Sequence, residues 1–135
     1  MCKHWGSIIA EMAKSARRRK MGWSVNTAYV MRLFEAVKAK CPMSGLPLEL
    51  GQHSKDHKNK TVSLDRIDSN VKSYCPGNVQ LVHKRANIAK SNLPDELALE
   101  LFRHCVENHK NKGGSFLNMS PTQLANELKK HSITS

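Results

Sequence analysis

No CxxC pair occurs anywhere in this chain, although it holds four cysteines: Cys2, Cys41, Cys75 and Cys105. Scattered thiols of this kind point away from a disulfide framework and toward free thiols in a reducing cytoplasm. No apolar run approaches the length of a membrane-spanning helix, so no membrane partner is expected. The opening MCKHWGSIIA has too short an apolar run, in the wrong layout, for a signal peptide. There are no internal repeats. Acidic residues are also scarce: 11 Asp and Glu stand against 22 Lys and Arg, giving a formal net charge of +11. That surplus favours a polyanionic partner, nucleic acid being the commonest, over charge carried for solubility alone. With 135 residues and 39% hydrophobic content, the chain can build one ordinary domain with a modest core.

What is present centres on Thr61 to Asn92, TVSLDRIDSNVKSYCPGNVQLVHKRANIAKSN. Thr61 to Leu64 is a short β-prone run, and Asn78 to Val82 is a second with alternating apolar residues. Pro76-Gly77 and Asp68-Ser69-Asn70 supply turn chemistry between them. After Val82 come helix formers, with Ala86, Ala89 and Lys90 in a run that Pro94 must end. The stretch therefore reads as strand, long turn, strand, helix. Its distinctive polar residues are Asp65 and Arg66 at the first strand's end, Asn78 opening the second, and Asn87 on the helix. Asparagine is a mediocre helix former, so Asn87 needs a reason to be there.

On either side the spacing is helical. Ile8, Ile9, Met12, Ala13 and Ala16 mark a helix over residues 7–20 that ends in Lys14, Arg17, Arg18, Arg19 and Lys20. Five cations in seven residues suit a helix C-terminus, and they equally form a ridge that a phosphate backbone would relieve. Gly22-Trp23-Ser24 breaks the chain, with Trp23 read as a core anchor rather than a base-stacking platform. Val25, Tyr29, Val30, Leu33, Phe34 and Val37 predict a helix to about Lys40. Residues 49–60 read as a polar surface loop. Asp95 and Glu96 open a further helix that should face inward through Leu97, Leu101, Phe102, Cys105 and Val106. Lys110 to Ser115 looks like a linker, and Ser120 and Pro121 start a last short helix with Leu124 and Leu128 on one side. That tail either docks on the core or grips a partner.

Taken together, LDRID, PGNVQLVHK and the N-x-x-K of Asn87 to Lys90 resemble the ββα-metal core of the HNH endonucleases. The upstream SARRR and CPMSGLPL are similar to what often precedes that core, and the resemblance spans roughly three quarters of a domain of this size. It implies an α+β fold: basic N-terminal helices over residues 1–40, the ββα-metal core over 41–92, a packing helix over 93–110, and a linker with a short helix over 111–135. It implies that Asp65 and Asn87 hold a divalent ion, magnesium or else manganese, and that Asn78 braces the loop. Magnesium suits such a pair because it keeps several waters and takes few protein ligands. Lys84 and Lys90, with Arg17, Arg18, Arg19 and Lys20, would meet DNA phosphates. The products would carry 5′-phosphate and 3′-hydroxyl ends, and the setting would be a bacterial or phage-infected cell. A single active site would need a homodimer or two events to cut both strands.

The chain departs from the family at two places. The four positions of the family's zinc knuckle read Cys41, Ser44, His83 and Ala86, and neither Ser44 nor Ala86 is an ordinary zinc ligand. A structural zinc is therefore not expected. The general base position, usually histidine, holds Arg66, which stays protonated near neutral pH. Three accounts stay open: Arg66 clamps the scissile phosphate; His53, His57 or His83 serves as base; or catalysis is lost and a DNA-binding module remains. A partner protein that uses the positive surface for assembly is a third class of function.

Overall fold

The alternation of apolar residues in the central stretch becomes a pair of antiparallel strands, β2 (Val62–Arg66) and β4 (Val79–His83). Val62 lies opposite His83, Leu64 opposite Leu81, and Asp65 opposite Gln80. Directly opposed residues share a face, and successive residues alternate faces. One face of the pair, Val62 and Leu64 with Val79 and Leu81, therefore joins the main core. The other carries Ser63 and Asp65 with Gln80 and Val82, and lies under the helix that follows β4, α3 (Lys84–Lys90).

The computed structural model describes residues 4–52, 59–112 and 118–131, and the chain is α+β. The first helix, α1 (Trp5–Arg18), buries Trp5, Ile8, Ile9, Ala13 and Ala16 along one stripe. Trp5 meets Phe34 edge to face at 5.3 Å. After α1 the chain turns back through Lys20, a non-glycine at φ 60°, into a two-residue strand, β1 (Gly22–Trp23). β1 pairs in parallel with β3 (Ser73–Tyr74), a strand inside the segment that reads as a turn in the sequence. Gly22 permits the close approach, because a Cβ on it would stand 2.7 Å from Ser73 Oγ and force that side chain to move. This pairing ties the basic end of α1 to the connection between β2 and β4.

The second helix, α2 (Thr27–Ala36), starts on Asn26, whose side chain accepts the Tyr29 amide hydrogen. It stops short of the expected Lys40 because Lys38 and Ala39 adopt φ of 54° and 56°, outside the helical region. The chain then makes a tight loop in which Cys41 Sγ accepts the Ser44 amide hydrogen at 3.4 Å. Val30, Ile8, Leu81 and Val82 are each no more than 2% exposed; burying each such side chain stabilises the fold by about 1.5–3 kcal/mol.

The next helix, α4 (Asp95–Lys110), corrects the sequence reading. Its one buried residue is Ala98, whereas Leu97, Leu101 and Val106 are 55%, 49% and 40% exposed. Asp95 and Glu96 lie in its first turn rather than at its cap. The last helix, α5 (Pro121–Lys129), does dock on the core. Ser120 and Gln123 close a reciprocal capping box, Ala125 is buried and Leu128 packs beside it. Arg85 donates to the His131 carbonyl at 2.9 Å, and Lys129 reaches Glu49 at 3.3 Å. Among the described residues no helix is long and apolar enough to cross a membrane, and Cys41, Cys75 and Cys105 are free thiols.

Candidate functional site

α3 lies along β2 in a fixed register. Asn87 Nδ2 donates to Ser63 Oγ at 2.7 Å, and one turn later Lys90 Nζ donates to Asp65 Oδ2 at 2.7 Å. A helix repeats a face every three or four residues and a strand every two, so residues 87 and 90 match 63 and 65. The helix begins on His83, whose Nδ1 accepts the Arg85 amide hydrogen at 3.1 Å. That bond requires the neutral ring. Burial, and then the nearby charges of Lys84 and Arg85, push the His83 pKa below its ordinary 6.5.

Ser63, Asp65 and Asn87 line an open groove of about 620 Å³. The end of α1 also lines it through Ser15, Arg18 and Arg19, as do Lys60 and Lys84. Five cations (Arg18, Arg19, Lys60, Arg66, Lys84) line the groove against two carboxylates, Glu11 and Asp65. The crowding has an electrostatic signature: burial, then the charges of Arg85 and Lys60, lower the Lys84 pKa. A site in which cations repel one another is ready for an anion.

Each sequence-selected residue has a definite place. Asn78 accepts the Asp68 amide hydrogen on Oδ1 at 2.9 Å and donates to the Ser73 carbonyl at 3.1 Å, bracing the connection between β2 and β4. Arg66 is 8% exposed. Its Nη1 donates to the carbonyls of Ser69 (2.7 Å) and Val71 (2.8 Å), and its guanidinium lies 5.8 Å from the Tyr74 ring centre. Arg19 approaches the same tyrosine, donating to its hydroxyl at 2.8 Å. Arg17 and Lys20 are exposed but do not line the groove. Lys90 is the clearest correction: it is 0% exposed, so it has no surface with which to meet a phosphate. His83 shares the face of Val62 and Leu64, opposite to Asp65, and is not among the residues that line the groove. Cys2, His53 and His57 lie outside the described residues.

Sequence reasoning missed Ser63, Gln80 and Asp95. Gln80 Nε2 donates to Asp65 Oδ2 at 3.0 Å and to Asp95 Oδ2 at 2.9 Å. A signal for the first two was available, since Ser63 and Gln80 are polar residues between apolar neighbours within the strands, on the face of Asp65. Nothing local marked Asp95, whose contact depends on how α4 leaves α3.

By donor chemistry, Asp65 and Asn87 are the groove residues that could serve a hard divalent cation. Asp65 Oδ2 is held by Lys90 and Gln80, which leaves Oδ1 as the carboxylate oxygen without a protein donor. Asn87 uses its amide nitrogen on Ser63, which leaves its carbonyl oxygen. One carboxylate and one amide oxygen are too few for calcium and suit magnesium, which retains most of its waters. Among the described residues no group of three or more His, Cys, Asp or Glu side chains converges as a metal cluster. Comparisons with protein-family models, with curated proteins and with solved structures gave no match.

Proposed function

We propose that this chain is a metal-dependent DNA endonuclease of the HNH kind, with β2, β4 and α3 as its ββα-metal unit. The observation that carries the reading is the shared groove. Asp65 from a strand end and Asn87 from a helix line one groove together with Arg18 and Arg19, and each is fixed by its own bond, Asn87 to Ser63 and Asp65 to Lys90. A magnesium or manganese ion bound there would neutralise charge on the scissile phosphate, stabilise the leaving 3′ oxygen and acidify a water.

The chain's own residues have the remaining tasks. Arg18, Arg19, Lys60 and Lys84 bind the phosphates on either side of the scissile bond, and their number makes binding fall steeply with salt. Asn87 presents its carbonyl oxygen because Ser63 holds its other end. Arg66 acts through the loop it closes: with Nη1 committed to Ser69 and Val71, it shapes the groove's end. The proton released by the attacking water passes to solvent through the open groove.

A second reading, a DNA-binding module without catalysis, is favoured by one specific observation. The residue in the base position is an arginine built into the loop, and Asp65 is already paired with a buried lysine. Supercoiled plasmid incubated with magnesium or manganese separates the two. On the endonuclease reading wild type nicks the plasmid, and Asn87→Ala loses roughly 100-fold or more in rate while keeping salt-dependent binding. Tight binding with no cleavage in either metal on varied DNA substrates overturns it and leaves the binding module.

A further inference from the structure

Three side chains that do not line the groove have no part in the scheme above: Lys90 and Gln80 bond to Asp65, and Asp95 contacts both of them. Lys90 Nζ, fully buried, donates to Asp65 Oδ2 and to the Arg66 carbonyl, each at 2.7 Å, and stands in ion-pair contact with Asp95 Oδ1. Two of its ammonium hydrogens thus go to oxygen acceptors, and its charge is shared with a second carboxylate. The two amide hydrogens of Gln80 go to Asp65 Oδ2 and Asp95 Oδ2. Asp95 Oδ1 is buried, with the Lys90 charge beside it and no hydrogen-bond donor. Both bonds to the Asp65 carboxylate thus fall on one oxygen, in a residue that lines the groove.

A lysine in contact with a metal-binding carboxylate ordinarily competes with the metal, because both seek the same negative charge. Here the ammonium is shared. Lys90, Asp65 and Asp95 together carry one positive and two negative charges, so the cluster keeps a net charge of −1. We infer that Lys90, Gln80 and Asp95 position Asp65 for a divalent cation, and that Asp95 is the counter-charge that stops Lys90 from neutralising Asp65. This inference rests on the endonuclease reading. The geometry supports it in two ways. The bonds to Oδ2 fix the carboxylate rotation, leaving Oδ1 for one-oxygen ligation, the mode a small octahedral cation accepts. And residues that hold a ligand in this way tune metal affinity without touching the metal.

The test is manganese binding to the whole protein, followed by the loss of the free-ion paramagnetic resonance signal, with DNA absent. Asp65→Asn sets the baseline. Asp95→Asn removes the counter-charge at a side chain that is 25% exposed, and it is expected to weaken manganese binding roughly tenfold. Asp95→Glu, which restores the charge, recovers most of the affinity. Gln80→Leu changes no charge but frees the carboxylate to rotate, and costs a few-fold. Far-ultraviolet circular dichroism confirms the fold of each variant, and a residue that merely starts α4 would leave manganese affinity unmoved. Should Asp65-dependent binding in wild type be unchanged in both Asp95→Asn and Gln80→Leu, the positioning role is refuted and the endonuclease reading stands. Should wild type bind no manganese that Asp65→Asn abolishes, the reading itself falls and takes the inference with it.

Discussion

Replacing Lys90 by methionine distinguishes an interior role from a surface one. The side chain is fully buried, and its ammonium meets Asp65, Asp95 and a backbone carbonyl. Methionine fills similar space but leaves Asp65, 5% exposed, with Gln80 as its only donor. Removing one partner of a buried ion pair costs about 3–5 kcal/mol, chiefly because the other charge stays behind. Against a total stability of about 5–15 kcal/mol for a domain of ordinary size, that is a large share. With a urea dependence of about 1–3 kcal/mol per molar, a 4 kcal/mol loss lowers the unfolding midpoint by roughly 2 M at unchanged slope. Adding Asp65→Asn and Asp95→Asn to the same chain removes the stranded charges and recovers much of the loss. A phosphate-binding surface lysine would behave otherwise, with stability within about 0.5 kcal/mol of wild type and a reduced salt slope of DNA binding. A stability loss under about 1 kcal/mol, read from urea denaturation, would refute the buried-cluster argument.

Two further outcomes follow from the geometry around it. His83 has its pKa lowered by burial and by Lys84 and Arg85, so the unfolded chain binds a proton near pH 6.5 while the folded chain still resists it. Its contribution is therefore complete above pH 6.5 and is lost as pH falls through the lower folded value; urea titrations at pH 7.5 and 5.5 will show the drop, and His83→Gln will flatten it. Arg66→Met removes two charge-assisted bonds to the carbonyls of Ser69 and Val71 and should cost about 2–3 kcal/mol. Arg66→Lys will not restore it, since a point charge does not reproduce the guanidinium fork; hydrogen exchange across residues 67–78 is the sensitive readout.

The strand–strand–helix order was legible because period-two alternation in 62–66 and 79–83, followed by helix formers, is a local signal. The Ser120 cap was legible for the same reason. The β1–β3 pairing was not, for it joins two-residue strands fifty-one positions apart (Gly22 with Ser73) and is eased by Gly22 lacking a Cβ. α4 misled because Leu97, Leu101 and Val106 have helical spacing, and spacing alone does not say whether a neighbour covers the stripe. Lys90 and Arg66 misled in a more general way. A lone cation beside a presumed active site reads as a phosphate ligand. Lys90 is instead turned inward to two carboxylates and a carbonyl, and Arg66 commits its Nη1 to two loop carbonyls, partners that only the tertiary fold assembles.

The register of α3 on β2 has a consequence for synthesis of the chain. At seven residues α3 is far too short to hold itself in water. Its attachments are His83 at its start, Ser63 under Asn87, and Asp65 with Asp95 around Lys90. All four of those partners lie outside the helix's own run and the last is Asp95, so a nascent chain cannot complete the cluster around Lys90 until that residue has left the ribosome. The Lys90 end of α3 is thus completed last, by the helix that follows it in the chain.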